Sequence, residues 1–242
     1  MAIYDINGNE IKVGTGSTKD LGNVVVLGDS ITTYPDTLTY GEWIYWMENY
    51  ATFKSLKTYG KGGARWYVSG MGDGTMYSQF LTLKSEVDGG RVIPDVIIID
   101  AGINDVAFNS PIGSVADAFN GEDITANAVN TMYKAVRFTC ESIRQEYPKA
   151  QIILVTPYQS GLLARETAVR NVRDCLVESA ERLSSRIINQ TDDLGIYSYY
   201  ESKTPLYLNA DGTHPSEDGK KLLARFIANE LNRLVLPLEA ES

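Results

Sequence analysis

Histidine is nearly absent: His214 is the only one in 242 residues. Any reaction that needs an imidazole near neutral pH therefore has a single candidate. Cysteine is almost as scarce. Cys140 and Cys175 lie far apart and lack metal-ligand spacing, so no thiolate metal site is expected. Cys140 falls in a helical apolar stripe, the setting of a buried free thiol; one disulfide between the two cysteines is the alternative. No apolar run approaches the roughly 18 residues needed to span a bilayer. Residues 1–9 show no basic stretch followed by an apolar core, so no signal peptide is visible. The expectation is a soluble chain, cytoplasmic or secreted after removal of a leader. Positive charge is also short, with 22 Lys and Arg against 31 Asp and Glu and a net charge of -9. An acidic surface repels phosphate backbones and anionic headgroups, which argues against nucleic acid and membrane surfaces as partners. A neutral small molecule, such as a sugar ester, meets no such barrier. None of these features bears on oligomeric state.

What is present suits one α/β domain, since such folds often exceed 200 residues as a single unit. Residues 3–13 alternate apolar and polar around Asn7-Gly8, the preferred pair for a tight turn, which predicts a short N-terminal β-hairpin. Residues 14–22 are rich in Gly, Ser and Thr and read as a linker, so the chain divides into 1–22, a domain over 23–236 and a tail at 237–242. Continuous β-branched runs at 23–27, 96–99, 152–155 and 186–189 read as buried parallel strands, with a weaker candidate at 53–58. Helical stripes run through 126–147, 162–183 and 216–234, and Ser216 is placed to cap the last. Strands alternating with helices imply crossover units, a parallel sheet and helices on both faces.

Ligands of such a sheet bind beyond the carboxyl ends of its strands. Gly28-Asp29-Ser30 follows the first strand and a loop holding Gly60, Gly62 and Gly63 follows the weak second. Gly102-Ile103-Asn104-Asp105 follows the third, Pro157-Tyr158 follows the fourth, and Asp211-Gly212-Thr213-His214-Pro215 precedes the last helix. A serine hydroxyl is a weak nucleophile and needs a base, which His214 alone can supply. Asp211 is close enough in sequence for one loop to present both, and a carboxylate on the far ring nitrogen fixes the tautomer. Attack on an ester creates an oxyanion that needs preorganised donors. Backbone N–H groups at Ser30 and in the glycine loop, with the Asn104 side chain, are the candidates.

Four of these segments, Gly28-Asp29-Ser30, the glycine loop, Gly102-Ile103-Asn104-Asp105 and Asp211-Gly212-Thr213-His214-Pro215, resemble in this order the SGNH hydrolases, also called GDSL esterases/lipases, over roughly residues 23–234. The resemblance implies a flavodoxin-like three-layer α/β/α sandwich with a five-stranded parallel sheet of order 2-1-3-4-5. It implies Ser30 as nucleophile, His214 as base and Asp211 as its acid, with Ser30, Gly63 and Asn104 forming the oxyanion hole and no cofactor or metal. Thr58 stands where the family pattern has asparagine, which leaves Gly60 and Gly62 as alternatives to Gly63. Ser30 is not in a G-x-S-x-G elbow, which disfavours the α/β-hydrolase arrangement.

Taken singly, these residues have plain readings. Ser30 could cap a helix, Asn104 and Asp211-Gly212 could form turns, and Asp29 and Asp105 could hold loops. Trp43, Trp46 and Trp66 default to packing. Tyr34, Trp66 and Tyr158 follow site segments and are candidates for an aromatic substrate wall. The function expected is a serine ester hydrolase, a carbohydrate O-deacetylase or short-chain acyl esterase. The alternatives are a lipase or thioesterase of the same family, or a non-catalytic surface or virion-associated module, suggested by residues 1–22. A metal-dependent hydrolase built on Asp29, Asp100, Asp105 and Asp211 ranks last, since a cage of carboxylates alone is unusual.

Overall fold

The structure is a computed structural model and describes residues 3–4, 10–11, 19–33 and 43–237. Two short strands, β1 (Ile3–Tyr4) and β2 (Glu10–Ile11), pair antiparallel; the Asn7-Gly8 turn expected between them lies outside the described residues. There follow β3 (Asn23–Gly28), α1 (Trp43–Met47), β4 (Ser55–Thr58), α2 (Met76–Asp88), β5 (Val96–Asp100), α3 (Ile103–Ala107) and α4 (Val115–Ala118). The rest is α5 (Met132–Glu146), β6 (Gln151–Val155), α6 (Glu166–Leu183), β7 (Arg186–Ile188), α7 (Gln190–Asp193), α8 (Ser198–Glu201) and α9 (Glu217–Leu234).

The main sheet runs β4-β3-β5-β6-β7 with every pair parallel, which is the order 2-1-3-4-5. Its centre is β5, buried along its whole length. That explains why Val96 to Ile99 are all β-branched: a strand covered on both faces has no polar side. The chain steps from β3 to β4 in one direction and then back past β3 to β5. Right-handed crossovers therefore put α1 on one face and the next helices on the other. Accordingly α1 packs on α9, while α2, α5 and α6 pack side by side. Their stripes fill the core, with Val136, Ile143, Leu176, Leu223, Ile227 and Leu231 all 0% exposed. Truncating one of these to alanine costs about 2–5 kcal/mol.

Several boundaries differ from the sequence reading. The edge strand starts at Ser55 because the Gly22 carbonyl takes the Lys54 amide at 2.8 Å, leaving Phe53 before the ladder. The helix expected from residue 126 begins at Met132, where the Thr131 side chain caps it; residues 126–128 form a separate 3-10 turn. The next begins at Glu166, after a 3-10 turn over Leu163–Arg165. Helix α9 begins where Ser216 accepts the Gly219 amide at 3.2 Å. The stretch read as linker ends in packed residues: Leu21 is fully buried and its amide donates to the Thr52 carbonyl at 2.9 Å. Helix α2 was not anticipated. Cys140 and Cys175 are buried free thiols, and burial pushes Cys140 up to about 12 and Cys175 higher still. Among the described residues no helix is long and apolar enough to cross a membrane.

Candidate active site

The site lies where the chain leaves β3 for β4 on one side while β5 lies on the other, the topological switch point of an open parallel sheet. Gly28 and Asp100 close the two strands opposite each other. Glycine is required at the end of β3, because a Cβ on Gly28 would meet Thr32 Oγ1 at 2.3 Å and the Asp100 carbonyl at 2.7 Å. Gln79, buried on α2, holds this strand end from behind. It accepts the Gly28 amide at 2.8 Å and donates to its carbonyl at 2.7 Å.

Beyond Gly28 the chain turns sharply. The Thr32 amide donates to the Asp29 carbonyl at 3.1 Å, and the Ile31 amide donates to Asp29 Oδ1 at 2.9 Å. Ser30 rides on this turn and caps no helix among the described residues. Its Oγ lies 2.9 Å from His214 Nε2, and His214 Nδ1 lies 2.7 Å from Asp211 Oδ2. The other Asp211 oxygen accepts the amides of Thr213 and His214 at 2.8 and 2.9 Å. Partial burial raises the Asp211 carboxyl, but the bonds from the His214 ring and the two amides outweigh it and hold the group below its ordinary value. The result is a hydroxyl, an imidazole and an ionised carboxylate in line.

The glycine loop comes in from β4. The Gly60 amide donates to Thr58 Oγ1 at 3.0 Å, and the Thr58 hydroxyl donates to the Thr32 carbonyl at 2.9 Å. The threonine in place of the family's asparagine thus ties the loop to the turn that carries Ser30. The Ala64 amide reaches back to the Lys61 carbonyl at 3.0 Å, with Gly63 at φ +75, a left-handed conformation that glycine adopts without strain. The Gly60 amide is engaged, while those of Ser30, Gly62 and Gly63 donate to no partner among the described residues. Asn104, in the first turn of α3, donates through Nδ2 to Asp29 Oδ2 at 3.2 Å and to the Ala64 carbonyl at 3.1 Å.

Three buried acids lie beneath. Burial pushes Asp29 up to about 7 against the Ile31 amide's opposing bond, and the nearby Asp105 adds to the rise. Burial raises Asp105 to about 6, opposed by the Trp66 and Tyr67 amides it accepts. Asp100 is raised well above its ordinary value by burial and by Asp29, and it accepts the Trp43 indole N–H at 3.1 Å. Each carboxylate is bonded to protein. Among the described residues no three His, Cys, Asp or Glu side chains come together to hold a metal ion.

The aromatic wall is corrected. Trp66 has no exposed surface, and its indole N–H donates to the Ala101 carbonyl at 3.1 Å. Tyr158 is 2% exposed, and its hydroxyl donates to the Thr213 carbonyl at 2.6 Å. Both are packing residues, and Tyr158 anchors the loop that carries His214. Tyr34 lies outside the described residues. Ser160 strengthens the same anchor by donating to the Gly212 carbonyl at 2.8 Å. Sequence reasoning missed Gln79 and Ser160; for Gln79 the signal was a polar residue within the helical spacing of Met76, Phe80 and Leu83.

The comparisons with known proteins agree with this architecture. A crystal structure of a Lactobacillus plantarum protein superposes with a TM-score of 0.69 at 15% identity, covering 90% of this chain and 99% of that one. A lipase/acylhydrolase from Enterococcus faecalis gives 0.56 at 21%, covering 90% and 100%. A mutant acetyl-xylooligosaccharide esterase from Geobacillus stearmophilus gives 0.59 at 17%, covering 88% and 95%. At these identities the likeness is one of fold. No curated protein sequence matches the chain. The model of the GDSL-like lipase/acylhydrolase family matches residues 26–222, from within β3 into α9. The chain therefore belongs to the GDSL-like lipase/acylhydrolase family and is an ester hydrolase.

Proposed function

We propose that this enzyme removes short acyl groups, acetyl above all, from a carbohydrate, with Ser30 as nucleophile and His214 as base. The observation that carries the mechanism is the unbroken chain from Ser30 Oγ through His214 to Asp211, at 2.9 and 2.7 Å. Ser30 Oγ attacks the ester carbonyl as its proton passes to His214 Nε2, and the Asp211 carboxylate stabilises the imidazolium. The carbonyl oxygen becomes an oxyanion, facing the amides of Ser30 and Gly63 and the Asn104 side chain. Collapse breaks the ester bond, and the alcohol leaves with the proton from His214. A water molecule, deprotonated by His214, attacks the acyl-serine, which releases the acid and restores the hydroxyl.

The carbohydrate reading is supported by the acidic, neutral-substrate-tolerant surface and by the acetyl-xylooligosaccharide esterase that shares the fold. A panel of aryl esters of increasing acyl length, run beside acetylated xylo-oligosaccharides, tests it. The acetyl substrates are expected to give the highest kcat/KM, with a steady fall as the acyl chain lengthens. A maximum at eight or ten carbons would point instead to a lipase or thioesterase.

A further inference from the structure

We infer that Asp29 is a positioning residue that keeps the donor end of the Asn104 amide turned toward the oxyanion, a role that rests on the reading of Ser30 and Asn104 above. The two ends of a side-chain amide are nearly identical in shape and opposite in chemistry, one a double donor and the other an acceptor. Which end faces the reacting carbonyl is decided by the neighbours. Here both neighbours are acceptors, Asp29 Oδ2 at 3.2 Å and the Ala64 carbonyl at 3.1 Å. Both hold Nδ2, and both contacts are at the long end of the hydrogen-bond range, so one N–H can turn to a developing negative charge without losing a strong bond. An amide turned the other way would present its oxygen to the oxyanion and repel it.

Only a carboxyl group meets the demands at position 29. Its Oδ1 accepts the Ile31 amide at 2.9 Å while its Oδ2 accepts from Asn104. One side chain thereby sets the nucleophile turn and the oxyanion donor together. Asparagine has one acceptor where two are needed: with its oxygen on the Ile31 amide, its own NH2 would face Asn104 Nδ2. The Asn104 amide would then flip and bring its oxygen to the reacting side. Asp29 is 1% exposed, so bulk solvent does not reach the position to take over the missing contact.

The test is a double-mutant cycle on the whole chain with an aryl acetate. Asn104→Ala is expected to lower kcat about 10²-fold, and Asp29→Asn to lower it at least tenfold, each with KM within about threefold of the parent. Asp29→Asn/Asn104→Ala is expected to be no more than about threefold slower than Asn104→Ala alone, since Asp29 has nothing left to position. Losses that multiply, or an Asp29→Asn enzyme with normal kcat, would overturn the inference. If Asp29→Asn does not melt as a folded protein, Asp29→Ser, whose shorter side chain has one oxygen and does not reach both the Ile31 amide and Asn104, enters the same cycle under the same criteria. Ser30→Ala run alongside separates the two levels: activity surviving in Ser30→Ala defeats the underlying mechanism, whereas an inactive Ser30→Ala with multiplying losses defeats only the role of Asp29.

Discussion

In the proposed mechanism Ser30 owes its chemistry to three neighbours, two on the loop of residues 211–214 and one in its own turn. There His214 would take its proton, Asp211 would orient the ring, and the Asp29 turn would present the hydroxyl. Replacing Ser30 or His214 by alanine should lower kcat by at least about 10⁴-fold, while Asp211→Asn, which keeps the ring in place but no longer fixes its tautomer or stabilises the imidazolium, should cost somewhat less. Steady-state kinetics on an aryl acetate decides this, and an Asp211→Asn loss as deep as that of His214→Ala would contradict that order. At this scale the sequence was most informative where rarity helped. One histidine left no rival base, and Asp211 sits three positions before it. It was least informative for aromatics. Trp66 and Tyr158 stand beside site motifs, yet their N–H and O–H groups found backbone carbonyls in the core, and adjacency in the chain does not say which way a ring points.

The end of β3 is the element on which the site depends. Gly28 must approach Thr32 and Asp100 closely, and Gln79 must satisfy both of its backbone groups. Gly28→Ala should therefore lower stability by about 1–3 kcal/mol through overpacking, and kcat should fall with it as the Ser30 turn shifts. Gln79→Leu should cost about 1–3 kcal/mol by leaving a buried backbone amide unsatisfied. Chemical denaturation of both variants checks these values, and an unchanged midpoint for either would remove the claim that the strand end is held from α2. Helix α2 was illegible for the same reason that it matters. Its buried face is Met76, Gln79, Phe80 and Leu83, and the glutamine breaks the apolar period by which a core-facing helix is recognised. The inner strands β3, β5 and β6 were legible because covering on both faces leaves few polar residues to interrupt them, whereas β7, at the other edge, showed itself only through Ile187 and Ile188. The edge strand β4, only half buried, gave a weaker pattern and a misplaced start.

At the scale of the whole molecule, the fold places ionisable groups in a dry interior, and stability should report it. Asp29 and Asp105 are raised to about 7 and about 6, and Asp100 is raised further from its ordinary value than hydrogen bonding can offset. Raised carboxyl groups bind protons more tightly in the native state than in the unfolded chain. Their contribution is therefore favourable below the unfolded value of about 4 and is lost as pH rises through about 6 to 7. Asp211 has the opposite sign, since its lowered value favours the native state above the ordinary carboxyl range, but its side chain is 51% exposed and its effect is small. Thermal unfolding across this range should show the wild type losing stability between about pH 5 and 8, and Asp100→Asn, which keeps an acceptor for the Trp43 indole, should flatten that loss. Parallel profiles for the two proteins would mean that Asp100 carries no such burden. The sheet order, in contrast, rested on family resemblance, because β-branched runs mark strands without saying which strand lies beside which.

The claim on which the rest depends is that Ser30 is the nucleophile. Treatment with a fluorophosphonate followed by peptide mass spectrometry tests it directly. The account predicts a single phosphonyl adduct on Ser30, loss of esterase activity in step with labelling, and no adduct in His214→Ala on the same timescale. An adduct on another side chain, or full hydrolysis by protein labelled at Ser30, would contradict it.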